Sequence, residues 1–413
     1  MAHSTTPPRL ITFQLTPDER NLIVGKSLAL HGRLVARLRL GIADGKRLTY
    51  ELSEDDFDDL LDALASDANH AADRRIRRRF SRLYDRLSRA LREQTSQTSA
   101  SQGLSGALPS ELRTEMHRLL ASRDFTNLDE ANAELEKLTD AHNRRPRPEF
   151  DGLSPRQVSR LIYSDWESST SAISLNKELP FSEVKEARFL NNARVLLDAL
   201  NVPAGTKATS AGNLNRKFVL QMLDAMRWPP DFLEDLWRYN KVVNEEDVFP
   251  LHLNRLVAQQ AGLIRMTKGA FHLTKKGRDL CQEDRAGELF ALLFHTFFRK
   301  FNLGYLDRVP ECQSIQQTIG YSLYVLDRRA GTWQAIEDLA PRLYLPTVTQ
   351  ELPVDRYGLD YETLLARTRI LGPLESFGLI QCQYSQKEPM IRPKVTRARK
   401  TDIYNRFLRF DLD

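Results

Sequence analysis

Basic side chains are concentrated in one short stretch of the chain, residues 262–280 (GLIRMTKGAFHLTKKGRDL). Cationic side chains are the usual ligands of phosphate groups, so such a cluster could hold the backbone of a nucleic acid. The charges belong to Arg265, Lys268, Lys275, Lys276 and Arg278. We therefore expect this stretch to contact double-stranded DNA.

The preceding residues, 250–261 (PLHLNRLVAQQA), follow a helical pattern and also carry polar side chains. Asn254, Arg255 and Gln259 have the amide and guanidinium groups that can read base edges in the major groove. Gly262 suits the position just after a helix end, where a positive φ is needed. The pattern predicts that this helix reads bases while the basic residues after it contact phosphates.

The order of the predicted elements is helix, strand, tight turn at Lys268-Gly269 and second strand, and a further helix starts at Thr274. This is the order of a winged helix, whose recognition helix lies in the major groove. The alternative is a winged helix that serves only for packing or for contact with another protein.

A second stretch near the end of the chain has a similar pattern. Its predicted helix ends at Phe377-Gly378-Leu379-Ile380, which matches Ala261-Gly262-Leu263-Ile264. Two predicted strands, 378–384 and 391–396, follow it. The basic residues there are Lys394, Arg397, Arg399 and Lys400. We expect a second winged-helix-like module with a secondary basic patch.

An arginine-rich helix is predicted at residues 74–92, directly after the acidic helix that Ser53 caps. Arg74, Arg75, Arg78 and Arg82 would add to the secondary basic patch, since such a stripe can follow a phosphate backbone. Charge runs are more often solvated faces, and here the acidic and basic segments could also attract each other or form a dimer contact.

The periodicity of the sequence predicts the helices and strands that must position these residues. Together they give a mainly α chain, α+β overall, with a small α+β domain followed by a helical body with winged-helix modules. The N-terminal domain would contain a strand at 10–15 and a hairpin of residues 34–42 and 48–52. The predicted organisation is 1–93 (the α+β domain ending in the arginine-rich helix), 94–110 (linker), 111–185 (helical connector), 186–285 (helical region with a winged helix), 286–360 (helical domain) and 361–413 (second winged-helix-like module).

Composition excludes several classes of protein. Of the 413 residues, 41% are apolar, which is too large a fraction for a disordered chain. The formal net charge of +5 permits a nucleic acid partner. Three cysteines lack metal-ligand or redox spacing and fit a reducing compartment. The start of the chain lacks the pattern of a signal peptide, and residues 289–298 are too short to cross a membrane. We expect a cytoplasmic protein without membrane contact, cofactor or metal.

The sequence assigns no catalytic residue, because it contains no nucleophile elbow, phosphate-binding loop or dinucleotide-binding motif. A protein without catalytic activity is therefore favoured. The alternative is an enzyme whose site is assembled from distant residues, and His70, His142 and His295 are the candidates for it.

Four blocks together resemble a set of uncharacterised bacterial proteins, some of whose relatives look like plasmid-borne open-reading-frame products. The blocks are Ala68-Asn69-His70, Gly152-Leu153-Ser154-Pro155, residues 207–214 and residues 262–277. The resemblance implies architecture and a bacterial origin, and it brings no activity or site residue with it. The leading hypothesis is a DNA-binding or regulatory protein; the alternative is an interaction scaffold with a protein partner or self-association.

Overall fold

The computed structural model describes residues 10–26, 32–39, 42–44, 47–70, 73, 75–84, 86–87, 110–123, 125, 127–168, 171–307, 309, 312–353, 360–386 and 394–412. The chain divides into two compact units, Met1–Thr126 and Asn127–Asp413. Both contain helices and small antiparallel sheets, so the predicted mainly α, α+β class is confirmed. Apart from Ser110, the predicted linker at 94–110 lies outside the described residues.

The first unit is a three-stranded antiparallel sheet with helices, and the order of its strands is β1-β3-β2. Its elements are β1 (Leu10–Leu15), α1 (Pro17–Lys26), α2 (Gly32–Arg39), β2 (Ile42–Asp44), β3 (Arg47–Ser53), α3 (Glu54–His70), α4 (residues 75–84) and α5 (Ser110–Ser122). Thr16 caps α1 reciprocally, because its hydroxyl accepts from Glu19 N and its own N–H donates to Glu19 Oε2. Phe13, Phe57 and Phe80 lie in the core of this unit.

The predicted strand at 34–42 is largely wrong. Residues 34–39 belong to α2, and the strand that follows this helix and pairs with β3 is Ile42–Asp44, where Asp44 lies opposite Arg47. Leu34 and Leu38 are four residues apart and both are buried, so one helical face enters the core. The antiparallel pairing of β2 with β3 confirms the predicted hairpin in a shortened form.

The second unit is built from helices around three small sheets. Its elements are α6 (Leu128–Asn143), α7 (Pro155–Tyr163), β4 (Ile173–Leu175), α8 (Phe181–Val184), α9 (Arg188–Ala199), β5 (Thr206–Lys207), α10 (Arg216–Ala225), α11 (Phe232–Tyr239), α12 (Phe249–Gln260), β6 (Ile264–Thr267), β7 (Ala270–Leu273), α13 (Lys275–Leu280), α14 (Ala286–His295), α15 (Ser314–Gln317), α16 (Ile319–Arg329), β8 (Gln334–Ala335), α17 (Ile336–Leu339), α18 (Pro346–Thr349), α19 (Tyr361–Leu365), α20 (Gly372–Ser376), β9 (Ile380–Tyr384), β10 (Val395–Lys400), α21 (Asp402–Phe407) and β11 (Leu408–Phe410). Short π-helical turns extend α14 over Thr296–Lys300 and join α19 to α20 over Ala366–Leu371.

Two of the sheets have the same topology. The strand orders are β5-β7-β6 and β8-β10-β9, so in both the third strand along the chain lies between the first and the second. In both, helices separate the first strand from the second, and the last of these helices leads directly into the hairpin. Because β8 pairs with β10, the sheet β8-β10-β9 begins at Gln334. This is well before residue 361, where the sequence predicted that the second winged-helix-like module starts.

The two strand pairs β6–β7 and β9–β10, which we call the first and second hairpin, start from the same kind of helix end. Gly262 follows α12 with φ 74°, and Gly378 follows α20 with φ 70°. The next residue donates back into the helix in each case, from Leu263 N to Ala258 O and from Leu379 N to Leu374 O, both at 2.9 Å. These are Schellman motifs, which favour glycine because other residues are strained at positive φ.

Phe377, which follows α20, packs against aromatic rings of α9, α14 and the π-helical turn after α14 in one apolar core. Its ring centroid lies 4.6 Å from that of Phe189 on α9 and 5.4–5.7 Å from those of Phe290, Phe294 and Phe297. The strongly apolar stretch at 289–298 is therefore buried within α14 and the π-helical turn that extends it. Across the part of the chain that is described, no helix is both long and apolar enough to span a membrane.

A short helix lies in the proline-containing segment that begins at Pro346. Pro346–Thr349 form the short helix α18, with Pro346 at its first position, where a missing N–H costs no hydrogen bond. Val348 is buried in the core of the second unit, which accounts for the ordered turn. Residues 354–359 lie outside the described part.

Candidate nucleic-acid interface

The β6–β7 hairpin has a two-residue turn at Lys268-Gly269, as predicted. Ile264 pairs with Leu273 and Thr267 with Ala270, which leaves Lys268 and Gly269 at the tip. Both have positive φ, 51° and 75°, as a type I′ turn requires. Lys268 is exposed at the tip, and Arg265 is exposed on β6.

The start of α13 is held tightly against Leu263, the residue just before β6. Thr274 caps the helix by accepting a hydrogen bond from Gly277 N at 3.0 Å. A Cβ atom added to Gly277 would lie 2.3 Å from Leu263 O, so only glycine permits this approach. The contact fixes where α13 presents Lys275 and Arg278, both of which are exposed.

A cavity of about 610 Å³ lies between the base of the hairpin and the loop that follows α9. Arg265, Lys275 and Arg278 line it, and none of the described residues that line it is a carboxylate. A second cavity of about 490 Å³ adjoins it, shares Asn201, Leu273 and Arg278, and adds Arg194 and Asp198. The structure thus brings three of the predicted phosphate-binding residues together around one electropositive depression.

The other two predicted phosphate-binding residues lie apart from this cavity. Lys268 is at the hairpin tip, and the Lys276 ammonium donates to Ala261 O at 3.0 Å, at the end of α12. Lys276 is exposed, but its charge already complements the carboxyl end of that helix.

The base-reading role expected for α12 needs correction. Asn254 is 2% exposed, and its Nδ2 donates to Pro250 O at 2.9 Å. Arg255 is 6% exposed and turned into the protein. Of the three expected base-reading residues, Gln259 alone is exposed, and its Oε1 accepts from Arg255 Nη1 at 3.2 Å. In this fold Asn254 and Arg255 do not lie on a surface that DNA could reach.

Arg255 is buried because a carboxylate neutralises it. Glu245, 1% exposed, accepts from Arg255 Nε and bonds with His252 Nδ1, both at 2.8 Å, and it also accepts from Leu214 N. Burial alone would raise the pKa of Glu245, but the hydrogen bonds from His252 and Leu214 together with the Arg255 charge lower it below 4.5. His252 Nε2 lies 2.8 Å from Tyr305 Oη and extends the network.

Sequence reasoning missed this network. His252 and Arg255 are three residues apart and therefore on one face of α12, which is a signal for a shared partner. That partner, Glu245, lies in the turn before the helix, and nothing in its immediate sequence indicates burial. The polar face of α12 binds this internal carboxylate.

The secondary basic patch is divided among different surroundings. Arg75, Arg78 and Arg82 are exposed in the first unit, and Arg74 lies outside the described residues. In the second unit Lys394 is exposed, Arg397 donates to Trp333 O at 3.1 Å, and the Arg399 guanidinium lies 4.7 Å from the Trp333 ring centroid. Lys400 is partly buried, and its ammonium pairs with Asp327 Oδ1 at 2.7 Å. The expectation that Lys400 is an exposed cation of the patch is therefore wrong.

The histidines considered for catalysis have different partners. His142 is buried, with its Nε2 2.8 Å from Arg147 Nη2. His295 Nδ1 lies 3.7 Å from Glu167 Oε1, and burial lowers the pKa of His295. The His70 side chain is outside the described part. Among the residues that are described, no three His, Cys, Asp or Glu side chains form a group that could hold a metal.

One family model matches the segment of the chain that contains the β6–β7 hairpin. Residues 185–286 match the family model described as the Y4jL N-terminal domain. The chain is also 29% identical over 140 residues to "Uncharacterized protein y4jL" of Sinorhizobium fredii (strain NBRC 101917 / NGR234), which is 34% of this chain and 62% of that relative. The alignment thus spans less than two thirds of the relative's length. No solved structure matches the chain.

The match supports the coarse part of the resemblance, a likeness to an uncharacterised bacterial protein. The matched segment runs from just before α9 to the start of α14 and so contains the hairpin, α13 and both cavities.

Proposed function

We propose that this protein binds double-stranded DNA, and that the segment 185–286 is a winged helix that contacts the phosphate backbone through its hairpin and α13. The observation that carries the proposal is the cavity beside the hairpin, where three cationic residues and no carboxylate stand among the described residues of the lining. The exposed Lys268 at the hairpin tip extends this electropositive surface.

The topology supports the winged-helix part of the proposal. A winged helix contains a first strand that pairs with the second strand of the hairpin, which is the order β5-β7-β6. Helix α11 is an addition between α10 and α12. The sheet β8-β10-β9 supports a second winged helix, whose hairpin carries Lys394, Arg397 and Arg399.

Burial of α12 determines the mode of binding in this proposal. Asn254 and Arg255 bond inside the protein, so the major groove is not read by this helix. The hairpin and α13 offer mainly cations, which contact phosphates without regard to base sequence. We therefore propose binding with little sequence preference. The three cysteines are free thiols, which supports a cytoplasmic location.

The test is fluorescence anisotropy of a labelled random-sequence duplex, at about 50 mM and about 200 mM salt. We expect binding that weakens steeply with salt, and at least a tenfold loss for the double variant Lys268→Ala, Lys275→Ala. Lys137→Ala is the matched control, because it removes an exposed cation from α6, outside the segment 185–286. No binding at low salt, or an unchanged affinity of the double variant, would contradict the proposal.

A second candidate function, a protein-interaction scaffold, is favoured by the apolar surface around α11. Leu233, Trp237, Tyr239 and Val242 are all exposed, Trp237 by 50% and Tyr239 by 72%. Exposed apolar clusters mark interaction surfaces more often than scattered residues do. The test is purification from the native host with and without nuclease. A stoichiometric complex that survives nuclease and is lost in Trp237→Ser supports the scaffold; a free chain in both cases contradicts it.

A further inference from the structure

The cavity at the base of the hairpin has the size of a small-molecule site. Its volume of about 610 Å³ lies within the range of pockets that enclose a small ligand, roughly 300–1,000 Å³. A duplex cannot fill it, because its bases are stacked and paired and would first have to be extruded. The proposed DNA contact therefore accounts for the rim of the cavity and leaves its interior unexplained.

The lining combines two chemically different groups of residues from two parts of the chain. The loop after α9 contributes an apolar wall of Leu200, Val202 and Pro203. The hairpin and α13 contribute the cationic residues Arg265, Lys275 and Arg278, together with Leu273. One guanidinium group can donate two parallel hydrogen bonds to phosphate oxygens. Apolar side chains can pack against the flat organic part of a ligand. Asn201, His272 and Thr274 add hydrogen-bonding groups around the same space.

The walls are positioned by the fold itself. The His272 ring packs directly on Gly205, where an added Cβ would lie 2.4 Å from the imidazole Cε1. Arg278 Nη1 donates to Leu273 O at 3.2 Å, which holds its side chain along the cavity wall. Thr274 is fixed by its hydrogen bonds to Gly262 O and Leu263 O. A site held in this way loses little conformational freedom when a ligand binds.

We propose that this cavity binds a phosphorylated small molecule of nucleotide size, with its phosphates on Arg265, Lys275 and Arg278 and its organic part against the apolar wall. The ligand would share Arg265 and Lys275 with the DNA surface and so compete with DNA. Only this competition rests on the proposed function; the ligand site itself does not.

The test uses isothermal titration calorimetry of the full chain with metal-free ATP and, separately, inorganic pyrophosphate, at low salt. We expect saturable binding of both, with ATP tighter because only ATP reaches the apolar wall. Arg278→Ala is expected to weaken both by about tenfold or more, since it removes a charge-assisted hydrogen bond. Arg278→Lys should recover part of the loss, and Lys137→Ala, which removes an exposed cation from α6 outside the cavity lining, is the control with unchanged affinity.

Arg278 also bonds to the backbone, so Lys275→Ala serves as a second variant whose side chain is exposed. Circular dichroism confirms that each variant is folded. Absence of heat with both probes at millimolar concentration, or equal affinity in wild type and both variants, would overturn the proposal. Binding of a five-residue oligothymidylate without binding of ATP would also overturn it, and would assign the cavity to a nucleic acid strand.

These titrations and the anisotropy measurement with duplex DNA together separate this proposal from the proposed function. If ATP binds and depends on Arg278 while duplex DNA never binds, the ligand site stands and the proposed function fails. If duplex DNA binds with its expected salt dependence and neither probe binds, the proposed function stands and the ligand site fails.

Discussion

Thr274 and Thr401 make the same three hydrogen bonds in two different parts of the chain. The Thr274 hydroxyl donates to Gly262 O at 2.8 Å and to Leu263 O at 3.0 Å, and the Thr401 hydroxyl to Gly378 O at 2.8 Å and to Leu379 O at 3.1 Å. Each backbone N–H also donates to the leucine carbonyl at 2.9 Å. Each threonine thereby closes its hairpin at the base, where the last strand leaves the sheet.

Removal of either hydroxyl should therefore destabilise the protein. Thr274→Val and Thr401→Val keep the shape of the side chain and leave two carbonyls with one partner fewer. We expect a loss of about 1–2 kcal/mol in the free energy of unfolding for Thr274→Val and about 1 kcal/mol for Thr401→Val, measured by urea denaturation. Thr274 should cost more because it also caps α13. Thr267→Val, at an exposed position of β6, is the control; equal stability of all three variants would disprove this role.

The two glycines at the helix ends should respond differently to the same substitution. Both have positive φ, where a Cβ is strained by about 1–2 kcal/mol. An added Cβ meets nothing within 4 Å at Gly262, but at Gly378 it lies 3.4 Å from Ala187 Cα. We expect Gly262→Ala to cost about 1 kcal/mol and Gly378→Ala more, by urea denaturation. A larger loss for Gly262→Ala would contradict the structure.

The buried Glu245 is expected to be one of the most sensitive positions for stability. Glu245→Gln removes the charge that faces Arg255 and leaves that guanidinium buried without a counterion. Loss of one partner of a buried pair costs about 3–5 kcal/mol, which urea denaturation at neutral pH would measure. Glu246→Gln is the matched control, since Glu246 is exposed and its amide variant can still accept from Asn213 Nδ2. A change below about 0.5 kcal/mol in both variants would disprove the buried pair.

The same carboxyl predicts a dependence of stability on pH. The pKa of Glu245 is lowered in the folded protein, so its stabilisation is present above its ordinary value of 4.5 and is lost as the pH falls through the folded value. The groups that face it are His252 and Arg255 on α12 and the N–H of Leu214. We expect the stability difference between wild type and Glu245→Gln to shrink as the pH falls below 4.5, and a constant difference would contradict the lowered pKa.

Salt dependence offers a count of the proposed phosphate contacts. Each contact adds about 0.9 to the slope of log affinity against log salt for duplex DNA. We expect Arg265→Ala with Lys275→Ala to reduce that slope by about 2, measured by anisotropy over several salt concentrations. Gln259→Ala should leave both slope and affinity unchanged, because α12 is not the reading element. A loss of affinity for one DNA sequence only, in Gln259→Ala, would restore a base-reading role to α12.

Much of the local structure follows from sequence signals that act over a few residues. Ser154 and Pro155 start a helix because the serine accepts from Gln157 N and Gln157 returns the bond, which completes a capping box. Lys268-Gly269 form the hairpin turn because both can adopt positive φ, glycine without strain. The match between residues 261–264 and 377–380 correctly predicted two equivalent helix ends.

The exposure of the candidate site was decided by tertiary structure alone. In sequence, Arg255 and Arg278 are both arginines on helices of the same segment. Arg255 is buried because Glu245 meets it from outside its helix and balances the cost of removing its charge from water. Arg278 instead lines an open cavity whose described lining residues include no carboxylate. Local patterns determine where helices and hairpins begin and end; which charges remain available to a ligand depends on partners that only the folded chain brings together.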